Sequence, residues 1–221
     1  MLNQRYIIED AHAIEGGNDL VAEARAKYKE TYPSRVARRM THIGMMTGLC
    51  LKPLSYDQNT PIVYASVFGE SQSLEAFIDS FPGASPLHFQ RSIHPSAIEQ
   101  TLIANKQPIN RFYPITSDFN LAGQAIESTL ISDSDRSILV GGDERATWLC
   151  EHELASHTSF ACSLLVKKTG EGIGSITIGD ELPENCESEC TLSQLARAIQ
   201  EHSALQIPSY SFNRWIHVSW E

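Results

Sequence analysis

The sequence predicts an α/β layer structure, and three segments carry the prediction. PIVYASV, Pro61 to Val67, is a β-branched and aromatic run that stops at Phe68-Gly69-Glu70 and gives way to helical spacing in Leu74, Phe77, Ile78 and Phe81. The same order recurs at Phe112 to Thr116, a strand-like run ended by the polar pair Ser117-Asp118 and followed by Leu121, Ala125, Ile126 and Leu130 at helical spacing. A third strand, Ser137 to Val140, ends at Gly141-Gly142-Asp143-Glu144. Strands that alternate with helices indicate helices layered on a sheet.

The remaining elements follow in order. Alternation from Arg5 to Ile8 predicts a strand, and Ala11 to Gly17 reads as a loop closing on Gly16-Gly17. A charged helix over Leu20 to Tyr32 is broken by Pro33-Ser34. A second helix runs from about Arg35 to Leu51 with Val36, Met40, Ile43 and Thr47 on one face, and its Gly44 and Gly48 permit close packing. Pro82 to Pro95 is loop-rich, and a short helix with Ile98, Leu102 and Ile103 follows. Phe160 to Lys167 alternates like a strand, and Gly170 to Gly174 turns it into Ser175 to Gly179, so the pair reads as a hairpin. Beyond the acidic link Asp180 to Glu189, a helix over Leu192 to His202 leads to a strand-like tail, Trp215 to Trp220. There is no internal repeat of solenoid length and no low-complexity tract.

Composition narrows the partners. The 221 residues, 42% of them hydrophobic, suffice for a real core. Seventeen Lys and Arg against 27 Asp and Glu leave a net charge of −10, which disfavours nucleic acid and anionic membranes as partners. The first residues lack the basic flank and apolar run of a secretory signal, and no apolar run is long enough to span a bilayer, so the expected location is cytoplasmic. Cys50, Cys150, Cys162, Cys186 and Cys190 form an odd, irregularly spaced set, with three inside apolar segments; reduced buried thiols are expected.

Isolated motifs carry little chemistry. Gly170-x-Gly172-x-Gly174 joins two strand-like runs, with no helix N-terminus to receive a phosphate. Cys186-x3-Cys190 has no second pair at ligand spacing and His202 stands alone downstream, so neither a metal nor a cofactor is expected. No GxSxG occurs. His42, His88, His94, His152 and His157 could each act as a base, but none is paired with a recognisable nucleophile. Arg35, Arg38 and Arg39 make a local basic cluster: a solvated face, or a dock for an acidic partner.

Arg111 to Thr129 has the layout of a nucleophile elbow without the nucleophile. Acyl-transfer enzymes place a Cys or Ser where strand meets helix, because the helix N-terminus lowers a thiol's pKa and offers backbone donors to an oxyanion. Here Phe119 stands at the turn.

Taken together, SRVARRMTHIGMMTGLCL, PIVYASVFGES, SPLHFQRSIHPSAIEQTLIANKQPIN, SILVGGDER and SFACSLLVKK resemble, in order and spacing, the N-terminal half of the β-ketoacyl synthases. Within them the chain resembles the short chain length factors of aryl polyene and related polyketide clusters. The resemblance is strongest over 34–168. It implies one thiolase-like half over 1–221, a mixed sheet with helices on its faces, and leaves 180–221 as an extension without an assigned role.

Two departures shape what the resemblance implies. Active members carry a catalytic Cys at the helix start, where this chain has Phe119, or Asp118 or Asn120 if the register slips by one; none is a thiol. They also use two histidines from a second half that repeats the fold, and the sequence given ends before such a half. The implied role is a non-catalytic chain length factor that forms a heterodimer with an active β-ketoacyl synthase and shapes its acyl tunnel, meeting acyl carrier protein indirectly. In the family the strand before the nucleophile pairs across the dimer axis, which makes Phe112, Tyr113, Phe119, Asn120 and His94 the candidate tunnel and interface residues; Arg35, Arg38 and Arg39 are the weaker carrier-docking candidates. Pro114 removes one ladder donor and implies an edge or a bulge. Three other readings stand beside this one: core-filling aromatics, a structural scaffold for the synthase, and a small acyltransferase or hydrolase using Cys162 or Cys150 with a histidine such as His157.

Overall fold

The computed structural model describes residues 4–17, 21–179, 189–209 and 214–221. The chain opens with β1 (Gln4–Gly17) and three helices, α1 (Val21–Lys29), α2 (Ser34–Ala37) and α3 (His42–Leu51). Then come β2 (Ile62–Ala65), α4 (Ser71–Asp79), α5 (Pro86–Ser92), α6 (Ser96–Ala104), β3 (Phe112–Ile115) and α7 (Leu121–Leu130). β4 (Arg136–Asp143), α8 (Trp148–Glu151), β5 (Ser159–Lys167) and β6 (Gly174–Gly179) follow. α9 (Leu192–Glu201), β7 (Leu205–Ser209) and β8 (Arg214–Trp220) complete the described chain.

All the described strands join one sheet in the order β3-β2-β4-β5-β1-β6-β8-β7. β3, β2 and β4 are parallel and every other pair is antiparallel, so the sheet is mixed. Each face buries a core. One packs Leu121, Ala125 and Ile126 of α7 and Leu192, Leu195 and Ile199 of α9 against Val63, Leu139 and Leu164. The other packs Ile43, Met46 and Cys50 of α3 and Ile98 and Leu102 of α6 against Ile62, Ile138 and Leu165. Burying each such aliphatic side chain contributes about 1.5–3 kcal/mol, so the paired cores hold the helices to the sheet. The α/β layering read from the sequence is the architecture found.

Several expectations are corrected. Ala11 to Gly17 is strand, not loop: β1 continues to Gly17 because β5 pairs with it from Ile7↔Lys167 to Gly17↔Ser159. The helix expected from Arg35 to Leu51 is two helices, since Thr41 breaks it and its hydroxyl caps α3 by accepting from Gly44 N–H. α3 has no single apolar face, because almost all of it is enclosed between the sheet, α6 and α1. Gly44 and Gly48 do allow that approach: a Cβ on Gly48 would lie 2.5 Å from Tyr32 Oη. The loop-rich Pro82 to Pro95 contains α5, started by Pro86 at its first turn and by Ser85 as cap. Gly141 and Gly142 belong to β4 and not to a turn, and α8 and β7 had no sequence counterpart.

The largest correction concerns Gly170 to Gly174. β5 and β6 do not pair; β1 lies between them and is antiparallel to both. The glycine segment carries the chain from one side of β1 to the other. Ile173 N–H donates to Ile8 O at 2.8 Å, and a Cβ on Gly172 would stand 2.2 Å from that same oxygen. Glycine is required by close backbone approach rather than by a turn or a phosphate. Gly172→Val is expected to destabilise the chain by about 1–3 kcal/mol in urea unfolding, because a Cβ there collides with the Ile8 carbonyl; an unchanged midpoint would contradict the crossing.

Candidate functional site

The C-terminal ends of the three parallel strands gather the loops 66–70, 116–120 and 143–147, the end of an α/β sheet where sites form. Buried acids tie these loops together. Asp143 Oδ1 accepts from Ser66 Oγ (2.7 Å), Val67 N (3.0 Å) and Phe68 N (2.9 Å), fastening the turn after β2 to the end of β4. Glu144 accepts from Ile43 N (2.8 Å) in the first turn of α3 and from Gln72 N (2.9 Å) in the first turn of α4. Glu70 accepts from Ala97 N at the start of α6, and Glu75 accepts from Thr147, Trp148 and Leu149 N–H at the start of α8. A carboxylate at a helix N-terminus satisfies orphan donors and meets the positive end of the helix dipole. Burial nevertheless pushes three carboxyls up, against the pull of their donors: Glu144 to about 8, Glu70 to about 7 and Asp143 to about 6.

The elbow itself is present. β3 runs into a turn in which Ser117 Oγ accepts from Phe119 N (3.2 Å) and donates to Phe119 O (2.9 Å), with Gln124 Nε2 donating to both oxygens. The residue in the left-handed conformation is Asn120 (φ 47°, ψ 40°), one position after Phe119. Asparagine tolerates that region through its short polar side chain. Its amide is turned inward: Nδ2 donates to Pro208 O (2.9 Å) in β7 and Oδ1 accepts from Cys190 N (3.0 Å). Gly123 makes room, since a Cβ there would stand 2.4 Å from Asn120 Nδ2. Ala122 N–H in the first turn of α7 donates to Cys190 O. The elbow therefore holds no thiol, and its buried side chain ties α7 to β7.

β3 is the outer strand, and Pro114 fits there. Ile62 N–H donates to Arg111 O and Ser66 N–H to Ile115 O, so the odd-numbered residues face β2 while Phe112 and Pro114 turn their backbone groups outward. The missing N–H of Pro114 costs the β2 ladder nothing. Grooves flank the strand on both sides. One, of about 480 Å³, is lined by Leu102, Ile103, Ile109 and Phe112; the other, of about 510 Å³, is lined by Phe112, Tyr113, Ile115 and Ile131. Ile103 is 75% exposed, Ile131 62% and Tyr113 45%.

The other sequence candidates are spread around this region. Phe119 is exposed at the elbow and Phe112 is half-buried. His94 stacks on the buried Tyr64 ring at 4.9 Å and lies 3.9 Å from Glu70 Oε2, at the end of β2. Arg35, Arg38 and Arg39 are exposed in and after α2, beyond α3. Cys50, Cys150 and Cys162 are free thiols and buried, as expected, and Cys190 is buried too; Cys186 and most of the acidic link lie outside the described residues. Burial pushes the Cys50 thiol up to about 12 and raises Cys162 further, so neither suits a nucleophile at neutral pH. The buried acids were overlooked in the sequence, although Glu70 closes the turn between β2 and α4, and Asp143 and Glu144 stand together at the end of the apolar strand β4. Among the described residues no helix is long and apolar enough to cross a membrane.

No protein-family model matches the chain, and no curated protein matches it. Solved structures do. A chain from the ketosynthase ApeO in complex with its chain length factor ApeC, from Xenorhabdus doucetiae, superposes with a TM-score of 0.67 at 18% identity, covering 99% of this chain and 100% of that one. A chain of the ishigamide ketosynthase/chain length factor gives 0.58 at 10% identity and 78% coverage; this chain spans 65% of its length. The mixed sheet and its helical layers thus have the α/β fold seen in the ketosynthase and chain length factor structures.

Proposed function

We propose that this chain is a non-catalytic chain length factor, which pairs with an active β-ketoacyl synthase along β3 and shapes the synthase's acyl tunnel during elongation on acyl carrier protein. The observation that carries the reading is an outer strand, paired with β2 on one side and with no described strand on the other, that runs into a turn without a thiol. In the resemblance drawn from the sequence, this strand is the one that pairs across the dimer axis. An exposed strand edge flanked by apolar grooves is stabilised by pairing with another chain. Likeness over the full length of a chain from a ketosynthase bound to its chain length factor supports the same reading.

The edge also favours an unlike partner. Phe112 and Pro114 present two outward carbonyls, but Phe112 alone presents an N–H. Self-pairing puts that deficit on both strands, whereas a different partner carries it on one. Phe112, Tyr113 and Phe119 are the aromatics available to wall a tunnel, Asn120 and His94 support the loops beside them, and Arg35, Arg38 and Arg39 would meet an acidic carrier. Co-expression with each β-ketoacyl synthase of the source genome tests the pairing: a stable heterodimer with one of them is expected on size exclusion, and separate monomers beside every one would defeat the reading. Phe112→Ala and Phe119→Ala should lengthen the products of that heterodimer; an intact heterodimer with an unchanged product profile would leave a scaffold role instead.

A further inference from the structure

Away from the elbow and the β3 edge, α8 and the turn after it bring a thiol, an imidazole and a carboxylate into line. Cys150 Sγ lies 3.1 Å from His157 Nδ1, and His157 Nε2 lies 3.0 Å from Glu153 Oε2. The partners set the tautomer. An ionised carboxylate only accepts, so the imidazole proton sits on Nε2 and Nδ1 offers its lone pair to the thiol.

The backbone holds this arrangement at a cost. Leu154 N–H donates to Leu149 O (2.9 Å) and Glu153 N–H to Cys150 O (3.2 Å), the paired bonds of a Schellman closure. Glu153 occupies its left-handed position, φ 58°, where glycine is the residue of least strain and a larger side chain costs on the order of 1 kcal/mol. A carboxylate is thus kept where the backbone favours none. His157 is pinned from both sides: Ala155 is buried, Ser156 bridges to Arg145, and Ser156 Oγ donates to Thr158 O (2.7 Å). The imidazole and carboxylate face solvent, and Cys150 beside them keeps 6% exposure.

We infer that Cys150, His157 and Glu153 form a thiol–imidazole–carboxylate relay, a nucleophilic site at which Cys150 reacts with small hydroperoxides. His157 Nδ1 takes the thiol proton, the sulfur electron pair attacks the distal peroxide oxygen, and the O–O bond breaks. The leaving hydroxide or alkoxide takes the proton back from His157. Cysteine is oxidised to sulfenic acid, the hydroperoxide is reduced to water or an alcohol, and the imidazole is regenerated. Glu153 acts through His157 as a positioning residue.

The test treats the folded chain with hydrogen peroxide, traps sulfenic acid with a dimedone probe, and quantifies each cysteine peptide by mass spectrometry. Cys150 should label at least about tenfold faster than the core thiols Cys50 and Cys162, and His157→Asn should remove most of that advantage and steepen the rise of labelling with pH. Glu153→Gly suits φ 58° and so preserves the turn; it is expected to leave the melting temperature unchanged or higher while slowing labelling severalfold. Labelling of Cys150 no faster than Cys50, or an unchanged rate in His157→Asn, would overturn the relay.

Discussion

Glu144→Ala is expected to destabilise the chain by about 3–5 kcal/mol, because one buried carboxyl serves the first turns of both α3 and α4 and its loss orphans two N–H groups and opens a cavity. Glu144→Gln keeps the volume and one acceptor but turns an amide N–H toward a donor, so about 1–3 kcal/mol is expected. Urea unfolding at pH 6 measures both; an alanine variant as stable as the wild type would show that the carboxyl does not join the helices. The protein should also lose stability with rising pH. Glu144, Glu70 and Asp143 have folded pKa values raised by burial, so the folded state binds more protons than the unfolded one between about pH 4.5 and 8. The stabilisation is complete below the unfolded carboxylate values and fades as pH climbs through 6, 7 and 8. Over that window a decline on the order of 1–3 kcal/mol is expected, with a flatter profile in Glu144→Gln.

Ile131→Asp, alone or with Ile103→Asp, is expected to weaken association with a β-ketoacyl synthase by about 100-fold or more. Both side chains are exposed beside β3 in the free chain, so their replacement should alter folding stability by no more than about 0.5 kcal/mol. In a paired edge the same positions are covered, and a carboxylate buried without a partner costs about 3–5 kcal/mol. The comparison to make is the dissociation constant beside the melting temperature of the free chain. Full affinity in both variants would remove the grooves beside β3 from the interface, whereas a fall in both affinity and melting temperature would point to damaged folding.

Much of the framework was legible because periodicity and turn chemistry are local. The units β2–α4 and β3–α7, the strand β5, the helix α9 and the C-terminal strand β8 all carried their own pattern in sequence. The elbow was legible for the same reason, down to the absence of a thiol. Pro114 announced an edge strand, and β3 is the outer strand. Where local pattern and long-range pairing disagreed, pairing prevailed. Ala11 to Gly17 lacks a strand's alternation yet extends beside β5, and Gly172 looks like a turn yet crosses β1 against the carbonyl of Ile8.

By itself, then, the sequence determined the layered α/β class, the order of its main units and a thiol-free turn between β3 and α7, since each depends on residues within a few positions of one another. Only the tertiary structure decided that Asn120 holds the strained position, that Glu144 joins α3 to α4, and that Cys150, His157 and Glu153 stand in line. The first and last arise from the backbone geometry of a turn, which periodicity does not report, and the Glu144 bonds join groups 72 and 101 positions apart that meet only when the sheet closes.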